Sequence, residues 1–379
     1  MRVGLISAEF PPERGGIQTY AWEYASELAR RRHEVTVFTQ RHAEGEASTS
    51  DFRIEPILRM RQRYDRALFA RYPNDVWHAM NAAYAWIALE TKPAFVTVHG
   101  NDFLWPYQPV ARLDLRERWH LPFGSRADRW LGDRLTRSLV HRSLPRASQV
   151  FANSRYTAER LGQELPACRS NTSPAMVGVS PSYFRSRREA RREGPPRLIT
   201  VCRLTEPHKN VDVVIRALGR LKDDWHFHYT VVGDGELLAP LRALVSELKL
   251  DQRVTFTGFV DQGRLQALLL DSDLFVLTTS ATPIAYEGFG LVYLEANACG
   301  CPVIAARIGG AVEAVDEGAT GILIDEVTVD SLASALARFL SGAVSFDSDR
   351  CVAFARKFSW AGVVDHCLGH YERAIALGT

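Results

Sequence analysis

Short apolar runs alternate with helix-like stretches along almost the whole chain. The run Arg2–Ala8 has the composition of a buried strand, and Thr19–Arg32 spaces its apolar residues on one helical face. The β-branched run Glu34–Thr39 then begins the cycle again. Strands that alternate with helices form a parallel sheet covered on both faces, so the pattern predicts an α/β fold.

The alternation starts afresh after a polar, basic segment. Phe184–Pro196 reads FRSRREARREGPP, which is typical of a surface connection. A nucleic-acid-binding arm is the alternative, but no aromatic residues are interleaved for base stacking. The strand candidates beyond it are RLITV, HYTVVG, VTFTG, DLFVLTT, CPVIAA and GILI. We therefore predict an N-terminal domain over residues 1–180, a linker over 181–196 and a second α/β domain over 197–359.

Composition places the chain among ordinary globular proteins. Of its 379 residues, 46% are hydrophobic and 24% are charged, which argues against disordered, collagen-like and disulfide-scaffold proteins. No apolar stretch approaches the ~20 residues of a membrane-spanning helix. Glu9 and Pro11 stand where a secretory signal would need an apolar core. Six scattered cysteines suit buried free thiols in a reducing compartment, so we expect a soluble, cytoplasmic protein.

The small net charge of +2 conceals an asymmetry between the two halves. Residues 1–196 contain 30 basic and 21 acidic residues, a balance of +9, whereas the remaining 16 basic and 23 acidic residues give −7. Such a split suggests that the first half faces an anionic partner. A solvated surface in an arginine-rich sequence accounts for it equally well.

The stretch 105–146 concentrates this basic charge. It holds nine arginines against four acidic residues, and its large aromatic residues are Trp105, Tyr107, Trp119, Phe123 and Trp130. Within it, Leu131, Leu135 and Leu139 form a helical stripe. Basic amphipathic segments that carry tryptophan bind anionic membrane surfaces. The alternative is an ordinary helix whose leucines pack on the N-terminal sheet.

Two glycine-rich turns follow strand candidates and precede helices. Gly15-Gly16 comes after the first strand, and Gly233-Asp234-Gly235 comes after HYTVV. Such turns let backbone N–H groups at a helix start approach a phosphate. Leu238 occupies the third glycine position of the dinucleotide-binding motif G-x-G-x-x-G, which argues against a nicotinamide-dinucleotide site.

The segment Tyr286–Gly310, YEGFGLVYLEANACGCPVIAARIGG, carries the strongest signal. Glu287 opens a glycine-rich turn into a helix, and Glu295 follows eight residues later, about 2.2 helical turns. A surface charge is the plain interpretation of Glu295. Its neighbours Leu294 and Ala296 instead favour an embedded carboxylate with a partner to bind.

These motifs, in this order, resemble the retaining nucleotide-sugar glycosyltransferases of family 4, also called glycosyltransferase group 1. The resemblance covers nearly the whole chain and rests on FPPERGGIQTY, VCRLTEPHKN, GFV at 258–260, EGFG with its E-x7-E spacing, and FSW at 358–360. It leans toward phosphatidylinositol mannosyltransferases and related cell-envelope enzymes. It implies the GT-B fold, two Rossmann-like domains with a ligand cleft between them, and a C-terminal helix 360–379 that returns to the N-terminal domain.

The resemblance also implies roles for individual residues. Arg203 and Lys209 would bind the donor's departing diphosphate, Glu287 the sugar hydroxyls and Glu295 the ribose hydroxyls. Cys202 departs from the glycine that is frequent before the arginine. The implied donor-binding positions are Gly16, Gly233, Val260, Gly288, Phe289, Gly290, Leu291 and Glu295.

On the N-terminal side, His99 at the end of the strand FVTV would lie beside the sugar, as a catalytic residue. A satisfied structural histidine is the alternative. Asp102 would orient the acceptor. No general base is evident, which agrees with front-face transfer in which the departing phosphate takes the acceptor's proton.

No metal or other cofactor is expected, because GT-B enzymes stabilise the leaving diphosphate with basic side chains and helix dipoles. Asp271-Ser272-Asp273 matches the metal-binding D-x-D pattern of another fold, but it directly precedes a buried strand and suits an ordinary connection. The expected partner is a nucleotide-sugar donor.

We therefore expect an enzyme that transfers a mannose- or glucose-type hexose to a lipid-linked or glycan acceptor, at the inner face of the plasma membrane. A soluble transferase with a small acceptor and a catalytically idle nucleotide-sugar-binding protein are the alternatives.

Overall fold

A computed structural model of the chain describes residues 1–11, 15–40, 49–106, 110–111, 124–184, 193–282 and 286–378, with the backbone alone for 124–128. The chain divides into two compact units. The first contains Met1–Gly178 and the C-terminal stretch from Trp360, and the second is Val179–Ser359. Much of the basic segment that we interpreted as a linker, residues 185–192, lies outside the described residues.

In the residues that the structure describes, the first unit is built on a parallel sheet of seven strands. In chain order they are β1 Arg2–Ile6, β2 Glu34–Thr39, β3 Arg53–Pro56, β4 Val76–Ala79, β5 Ala94–Val98, β6 Gln149–Ala152 and β7 Thr172–Pro174. Their order across the sheet is β3-β2-β1-β4-β5-β6-β7, and every neighbouring pair is parallel. The central strands β4 and β5 are fully buried, as expected for a sheet covered on both faces.

Within its described ranges, the second unit repeats the architecture with six parallel strands. They are β8 Arg197–Val201, β9 His228–Val232, β10 Val254–Gly258, β11 Leu274–Leu277, β12 Val303–Ala306 and β13 Gly321–Ile324, in the order β10-β9-β8-β11-β12-β13. The order reverses direction beside β8, since β9 lies on one side and β11 on the other. Such a switch point is where open α/β sheets bind ligands, at the carboxyl ends of the strands.

Helices connect the strands in both units. They are α1 Gly16–Arg30, α2 Gln62–Asp65, α3 Leu68–Arg71, α4 Gly124–Ser143, α5 Arg155–Glu164, α6 Val211–Leu221, α7 Leu238–Glu247, α8 Gln262–Leu270, α9 Leu291–Ala298, α10 Val329–Leu340, α11 Ser348–Ala355 and α12 Trp360–Leu377. Short 3-10 helices include Ala82–Leu89, Pro181–Phe184, Pro207–Lys209 and Gly309–Glu313. In the described part of the chain, no helix combines the length and apolar character that a bilayer crossing requires.

The C-terminal helix α12 belongs to the first unit, where it packs on α1. The buried hydroxyls of Tyr24 and Tyr371 lie 2.8 Å apart, and His78 of β4 bonds to Tyr371 through Nδ1 and to Thr97 through Nε2. Burial lowers the pKa of His78 well below its ordinary value, so the ring is neutral within this network. A satisfied polar chain therefore ties α12 to the first sheet.

The helix α4 carries the leucine stripe that the sequence predicts. It packs against the 3-10 helix Ala82–Leu89. Leu139 is fully buried, whereas Leu131 and Leu135 are half-buried. The aromatic residues Tyr107, Trp119 and Phe123 of the same basic stretch lie outside the described residues.

Candidate functional site

A partly buried ion pair lies at the carboxyl ends of the strands in the second unit. The Lys209 ammonium donates a hydrogen bond of 2.9 Å to Oε2 of Glu287, and their side chains are 16% and 13% exposed. Lys209 ends the 3-10 helix that follows β8, whereas Glu287 precedes α9. Two carboxyl-end loops thus meet through opposite charges.

Asn210 fixes the distance between these two loops. It adopts a left-handed backbone with φ of 53°, a conformation that asparagine tolerates better than most residues. Its side-chain amide donates hydrogen bonds to the carbonyl of Thr278 and to the hydroxyl of Ser280, the latter at 2.7 Å. The Ser280 N–H donates in return to the carbonyl of His208 at 2.8 Å.

Burial and pairing oppose each other in the titration of this ion pair. Burial alone would raise the pKa of Glu287, but the Lys209 charge and hydrogen bonds from Lys209 and Thr279 lower it. Burial likewise favours neutral Lys209, yet the charge of Glu287 raises the pKa of the ammonium. Both groups are therefore ionised at neutral pH.

Arg203 reaches the same cluster through Glu206. Its Nη2 lies 2.6 Å from Oε1 of Glu206, and Oε2 of that carboxylate lies 3.9 Å from Nζ of Lys209. The Arg203 side chain is 74% exposed. The structure thus brings together the two basic residues that we predicted to act on the diphosphate, with an acidic residue between them that the sequence analysis did not consider.

Glycines let the loops after β8 and β9 touch backbone to backbone. A Cβ at Gly233 would lie 1.9 Å from the carbonyl oxygen of Cys202, and one at Gly235 would lie 2.5 Å from the carbonyl carbon of Leu204. Their φ angles are 138° and 149°, which disfavours any side chain. The N–H of Gly233 is used internally, since it donates to the carbonyl of Gly258 at 3.0 Å.

The turn Gly288–Gly290 delivers the chain into α9. Gly290 caps the helix with φ of 88°, and Phe289 is buried against Phe358. The N–H of Gly310 donates to the carbonyl of Glu287 at 2.8 Å, and this hydrogen bond holds the turn against the loop after β12. The first turn of a helix presents N–H groups without intrahelical partners, so the start of α9 at Leu291 is suited to an anion.

Glu295 lies on α9 but does not share the partner of Glu287. Tyr183, which is buried in the 3-10 helix Pro181–Phe184, donates a hydrogen bond to it. Burial raises the pKa of Glu295 to about 7, and this hydrogen bond opposes the shift in part. The two carboxylates of the E-x7-E spacing therefore have distinct environments and distinct affinities for protons.

The turn after β10 completes the carboxyl-end loops of this unit. Gly258 has φ of 68°, Val260 is half-buried, and Phe259 between these two residues is 56% exposed. Since the carbonyl of Gly258 binds Gly233, this turn is joined to the loop after β9.

The remaining predicted residues belong to the first unit. His99 follows β5, and its Nε2 lies 2.9 Å from the carbonyl of Met80. A carbonyl only accepts hydrogen bonds, so Nε2 carries the proton and Nδ1 is the acceptor. Burial lowers the pKa of His99 to about 4, which keeps the ring neutral. The edge of the ring also packs on Tyr20, with centroids 4.7 Å apart.

Asp102 holds the backbone of His99 through a hydrogen bond. Oδ1 accepts the His99 N–H and Oδ2 accepts the Ala82 N–H, each at 2.9 Å, and the residue is only 1% exposed. Direct contact with an acceptor, which we expected of Asp102, does not suit a carboxylate enclosed in this way. The geometry favours a positioning role through the backbone of His99.

Gly16 is the first residue of α1 and is exposed. No described atom lies within 4 Å of a Cβ built there, so the backbone is open to a ligand. Pro12, Glu13 and Arg14 of the same glycine-rich loop lie outside the described residues.

The acidic pair of the D-x-D pattern binds within its own unit. Oδ2 of Asp273 accepts the N–H of Arg197 at 2.9 Å, and Asp271 pairs with the guanidinium of Arg197. Among the described residues, no group of three or more histidine, cysteine, aspartate or glutamate side chains could hold a metal ion.

Sequence reasoning missed Glu206 and Tyr183, which contact three of the predicted residues. Glu206 left one readable signal, since it stands three residues from both Arg203 and Lys209. Tyr183 left none, because it is 112 positions from Glu295 in sequence and only the fold brings them together.

Comparisons with known proteins agree with this architecture. The model for glycosyl transferases group 1 matches residues 184–358, and the model for glycosyltransferase family 4 matches residues 14–173. A GDP-mannose-dependent α-(1-6)-phosphatidylinositol monomannoside mannosyltransferase of Mycolicibacterium smegmatis is 30% identical over 369 residues, 89% of this chain and 88% of that protein.

Two further relatives widen the comparison. A D-inositol 3-phosphate glycosyltransferase of Corynebacterium glutamicum is 27% identical across 99% of this chain and 97% of its own length. Among solved structures, a sucrose-phosphate synthase from Thermosynechococcus elongatus matches with a TM-score of 0.77 at 20% identity, covering 99% of each chain. The predicted α/β class with two Rossmann-like domains is confirmed as the GT-B fold. The chain belongs to glycosyltransferase family 4, and it is an enzyme that transfers a sugar.

Proposed function

We propose that this enzyme transfers a mannose- or glucose-type hexose, with retention of configuration, from a nucleotide sugar to a lipid-linked or glycan acceptor. The observation that carries the proposal is the partly buried Lys209–Glu287 pair before α9, which Glu206 connects to Arg203. It joins positive charge for a diphosphate to a carboxylate for sugar hydroxyls. The 30% identical mannosyltransferase is named for GDP-mannose, which favours mannose as the sugar.

The leaving group decides what the basic residues do. As the glycosidic bond to the diphosphate breaks, negative charge grows on the phosphate oxygens. Lys209 and Arg203 stabilise that charge, and the start of α9 adds helix N–H groups. No metal is required by this chemistry, so we propose that activity is independent of divalent cations.

Transfer of the sugar requires a group that takes the proton of the acceptor's hydroxyl. Among the described residues, Glu287 is ionised but committed to Lys209, and His99 has a pKa of about 4, so neither is poised as a base near neutral pH. We propose that the departing phosphate oxygen takes the proton on the face from which it leaves. In the second unit, Glu287 then accepts a hydrogen bond from a sugar hydroxyl. In the first unit, His99 offers Nδ1 as an acceptor for a substrate hydroxyl.

Contacts to the nucleoside complete the donor site in this proposal. Glu295 accepts hydrogen bonds from the ribose hydroxyls, and the turn through Val260 lies against the base. Gly233, Gly288, Phe289, Gly290 and Leu291 supply close backbone approach to the phosphates and sugar.

The acceptor side rests on exposed basic and aromatic residues of the first unit. On α4, Trp130 is 62% exposed, with the guanidinium of Arg134 5.0 Å from its ring, and Arg129 and Arg137 are exposed. Tryptophan and arginine on one helix suit the headgroup region of an anionic membrane. We therefore propose a peripheral position on the inner membrane face.

A small acceptor is the second candidate, and one observation favours it. The relatives at 27% identity, which align with 99% of this chain, are named for inositol 3-phosphate, a small anionic molecule. Sedimentation with anionic vesicles separates the candidates. A lipid acceptor predicts binding that weakens in Trp130→Ala and in Arg134→Gln, with the exposed Leu89→Ala as control.

The donor is tested by thermal stabilisation and slow hydrolysis with GDP-mannose, UDP-glucose, UDP-GlcNAc and UDP-galactose, each with and without EDTA. We expect one donor to stabilise the protein selectively and to be hydrolysed equally in EDTA. Lys209→Met should abolish both signals. Activity that disappears in EDTA would contradict the metal-independent mechanism, and no response to any mannose or glucose donor would contradict the proposed sugar class.

A further inference from the structure

Glu206 occupies a position that a diphosphate site does not obviously need. It lies between Arg203 and Lys209, three residues from each, directly before the 3-10 helix Pro207–Lys209, as its N-terminal cap residue. The N–H of Lys209 donates to the carbonyl of Glu206 at 3.0 Å, which holds the two residues close together. Its carboxylate is 2.6 Å from Arg203 Nη2 and 3.9 Å from Lys209 Nζ.

The charges of this cluster balance. Arg203 and Lys209 contribute two positive charges, and Glu206 and Glu287 contribute two negative charges. The nearby His208, with Nε2 3.7 Å from Glu206, adds none, since burial and the Lys209 charge lower its pKa. A site with no excess positive charge attracts a multiply anionic diphosphate less than its two basic residues alone would.

The two basic residues differ in how firmly they are held. Lys209 is 16% exposed and bonded to Glu287, whereas Arg203 is 74% exposed and its ion pair is with Glu206. An ion pair in which one side chain is largely exposed contributes little free energy in water, so a stronger anion displaces the carboxylate readily. Arg203 is therefore the residue that can exchange partners.

Resting on the proposed function, we propose that Glu206 is a resident counter-ion of the diphosphate site, which holds Arg203 and competes with the donor's diphosphate for its guanidinium. Donor binding then exchanges a carboxylate for a phosphate on Arg203. After transfer, the carboxylate recaptures the guanidinium and helps the nucleoside diphosphate to leave. Glu206 acts through Arg203, so it is a positioning residue that sets the affinity for product.

The test is calorimetric titration of GDP and of UDP into the full-length wild type and Glu206→Gln. The substitution keeps the shape and removes the charge. We expect the bound nucleotide to bind about fivefold tighter, with a steeper dependence on salt. Guanosine and uridine, which lack the diphosphate, should bind wild type and variant equally, a pattern that a general structural defect would not produce.

Two further variants sharpen the measurement. Glu164→Gln removes a matched carboxylate from an i,i+4 arginine pair with Arg160 and should leave nucleotide affinity unchanged. Glu206→Asp keeps the charge, so affinity should stay closer to wild type than in Glu206→Gln. Thermal unfolding of each variant confirms that the folded protein is being titrated.

The outcomes separate this inference from the donor assignment. Weaker or unchanged diphosphate binding in Glu206→Gln, with Arg203→Ala weakening it, overturns the counter-ion role and leaves the donor site standing. If Arg203→Ala does not weaken diphosphate binding, or the wild type binds neither nucleotide, the donor assignment fails and the inference fails with it. Weakening in Arg203→Ala together with tightening in Glu206→Gln supports both.

Discussion

Lys209 and Glu287 form a hydrogen-bonded ion pair of 2.9 Å although 78 residues separate them in the chain. Their mutual attraction offsets the free-energy cost of partly removing two charges from water. If one residue were replaced, the other would remain charged there without that compensation. The pair therefore links the stability of the second unit to the residues proposed to bind the donor. Replacing one residue and replacing both should change stability differently, so experiments can separate the pair's effect on stability from its effect on activity.

Removal of one partner should destabilise the protein more than removal of both. Lys209→Met leaves the partly buried Glu287 carboxylate without its ion-pair partner, so we expect a loss of up to about 3 kcal/mol in the free energy of unfolding. The double variant Lys209→Met/Glu287→Leu should regain most of that stability but no activity. Urea unfolding and transferase assays measure the two effects.

The control for this prediction is an exposed ion pair in the first unit. Arg160→Met breaks the pair with Glu164, whose side chains are 31% and 35% exposed, and should cost about 0.5 kcal/mol or less. A double variant less stable than Lys209→Met would show that the pair contributes by packing rather than by charge.

Asp102 should affect catalysis through His99 without affecting nucleotide binding. Asp102→Asn offers a single acceptor oxygen for the two N–H groups of Ala82 and His99, which should cost about 1–3 kcal/mol of stability. We expect kcat to fall while the affinity for nucleoside diphosphate stays unchanged, because the proposed nucleotide contacts of the second unit are untouched. Equal weakening of nucleotide binding and turnover would contradict this division of roles.

His99 should also shape the pH dependence of stability. Its folded pKa of about 4 lies below the unfolded value of about 6.5, so the unfolded chain binds more protons between these values. The contribution of neutral His99 is therefore complete above pH 6.5 and is lost as the pH falls toward 4. The difference between wild type and His99→Gln in urea unfolding should shrink over that range, and a constant difference would contradict it.

Glu295 should make nucleotide binding depend on pH near neutrality. The ionised carboxylate is the form proposed to accept hydrogen bonds from the ribose hydroxyls. Because its pKa is about 7, the ionised fraction of Glu295 decreases below pH 7. Affinity for the nucleoside diphosphate should fall about tenfold between pH 8 and pH 6. Glu295→Gln corrects for the titration of the nucleotide phosphates and should lack this component.

Tyr183 supplies the sharper form of that test. Its hydrogen bond lowers the pKa of Glu295, so Tyr183→Phe should move the midpoint of the pH dependence upward. Affinity for 2′,3′-dideoxynucleotides should be unaffected, since they lack the hydroxyls that Glu295 is proposed to bind. An unchanged midpoint in Tyr183→Phe would show that Tyr183 does not tune this carboxylate.

Local patterns in the sequence were enough to predict much of the fold. The runs Glu34–Thr39, Arg197–Val201 and Gly321–Ile324 are strands with the predicted ends, because β-branched or apolar residues fill them and polar residues or turns bound them. Arg53–Pro56 escaped prediction, since it is a half-exposed edge strand that ends in proline. The fully apolar run Ala82–Leu89 carries no strand or helix period and forms a 3-10 helix.

The candidate site was predictable to the level of individual residues but not of partners. Glu287 and Lys209 stand in recognisable motifs, whereas their pairing depends on how two loops are spaced by Asn210. The enclosure of Asp102 likewise follows from a contact with Ala82, 20 residues earlier in the chain, that no local pattern encodes. Side-chain partners come from tertiary packing, so the sequence indicates which groups are present and the fold decides which of them meet.

Gly310 and Gly318 illustrate two different reasons why a turn requires glycine: close backbone contact at Gly310 and a positive φ at Gly318. A Cβ at Gly310 would lie 2.1 Å from the carbonyl oxygen of Gly288, without a strained φ, whereas Gly318 has φ of 79° and no described atom within 4 Å of its Cβ position. Gly318→Ala should cost about 1 kcal/mol through backbone strain alone and leave activity intact. Gly310→Ala must push the Gly288 turn away, so we expect a loss of about 3 kcal/mol together with a marked fall in nucleotide affinity. Urea unfolding and titration of GDP or UDP measure both effects. Because the turn before α9 is the proposed phosphate contact, a Gly310→Ala protein that is destabilised but binds nucleotide normally would remove that turn from the donor site.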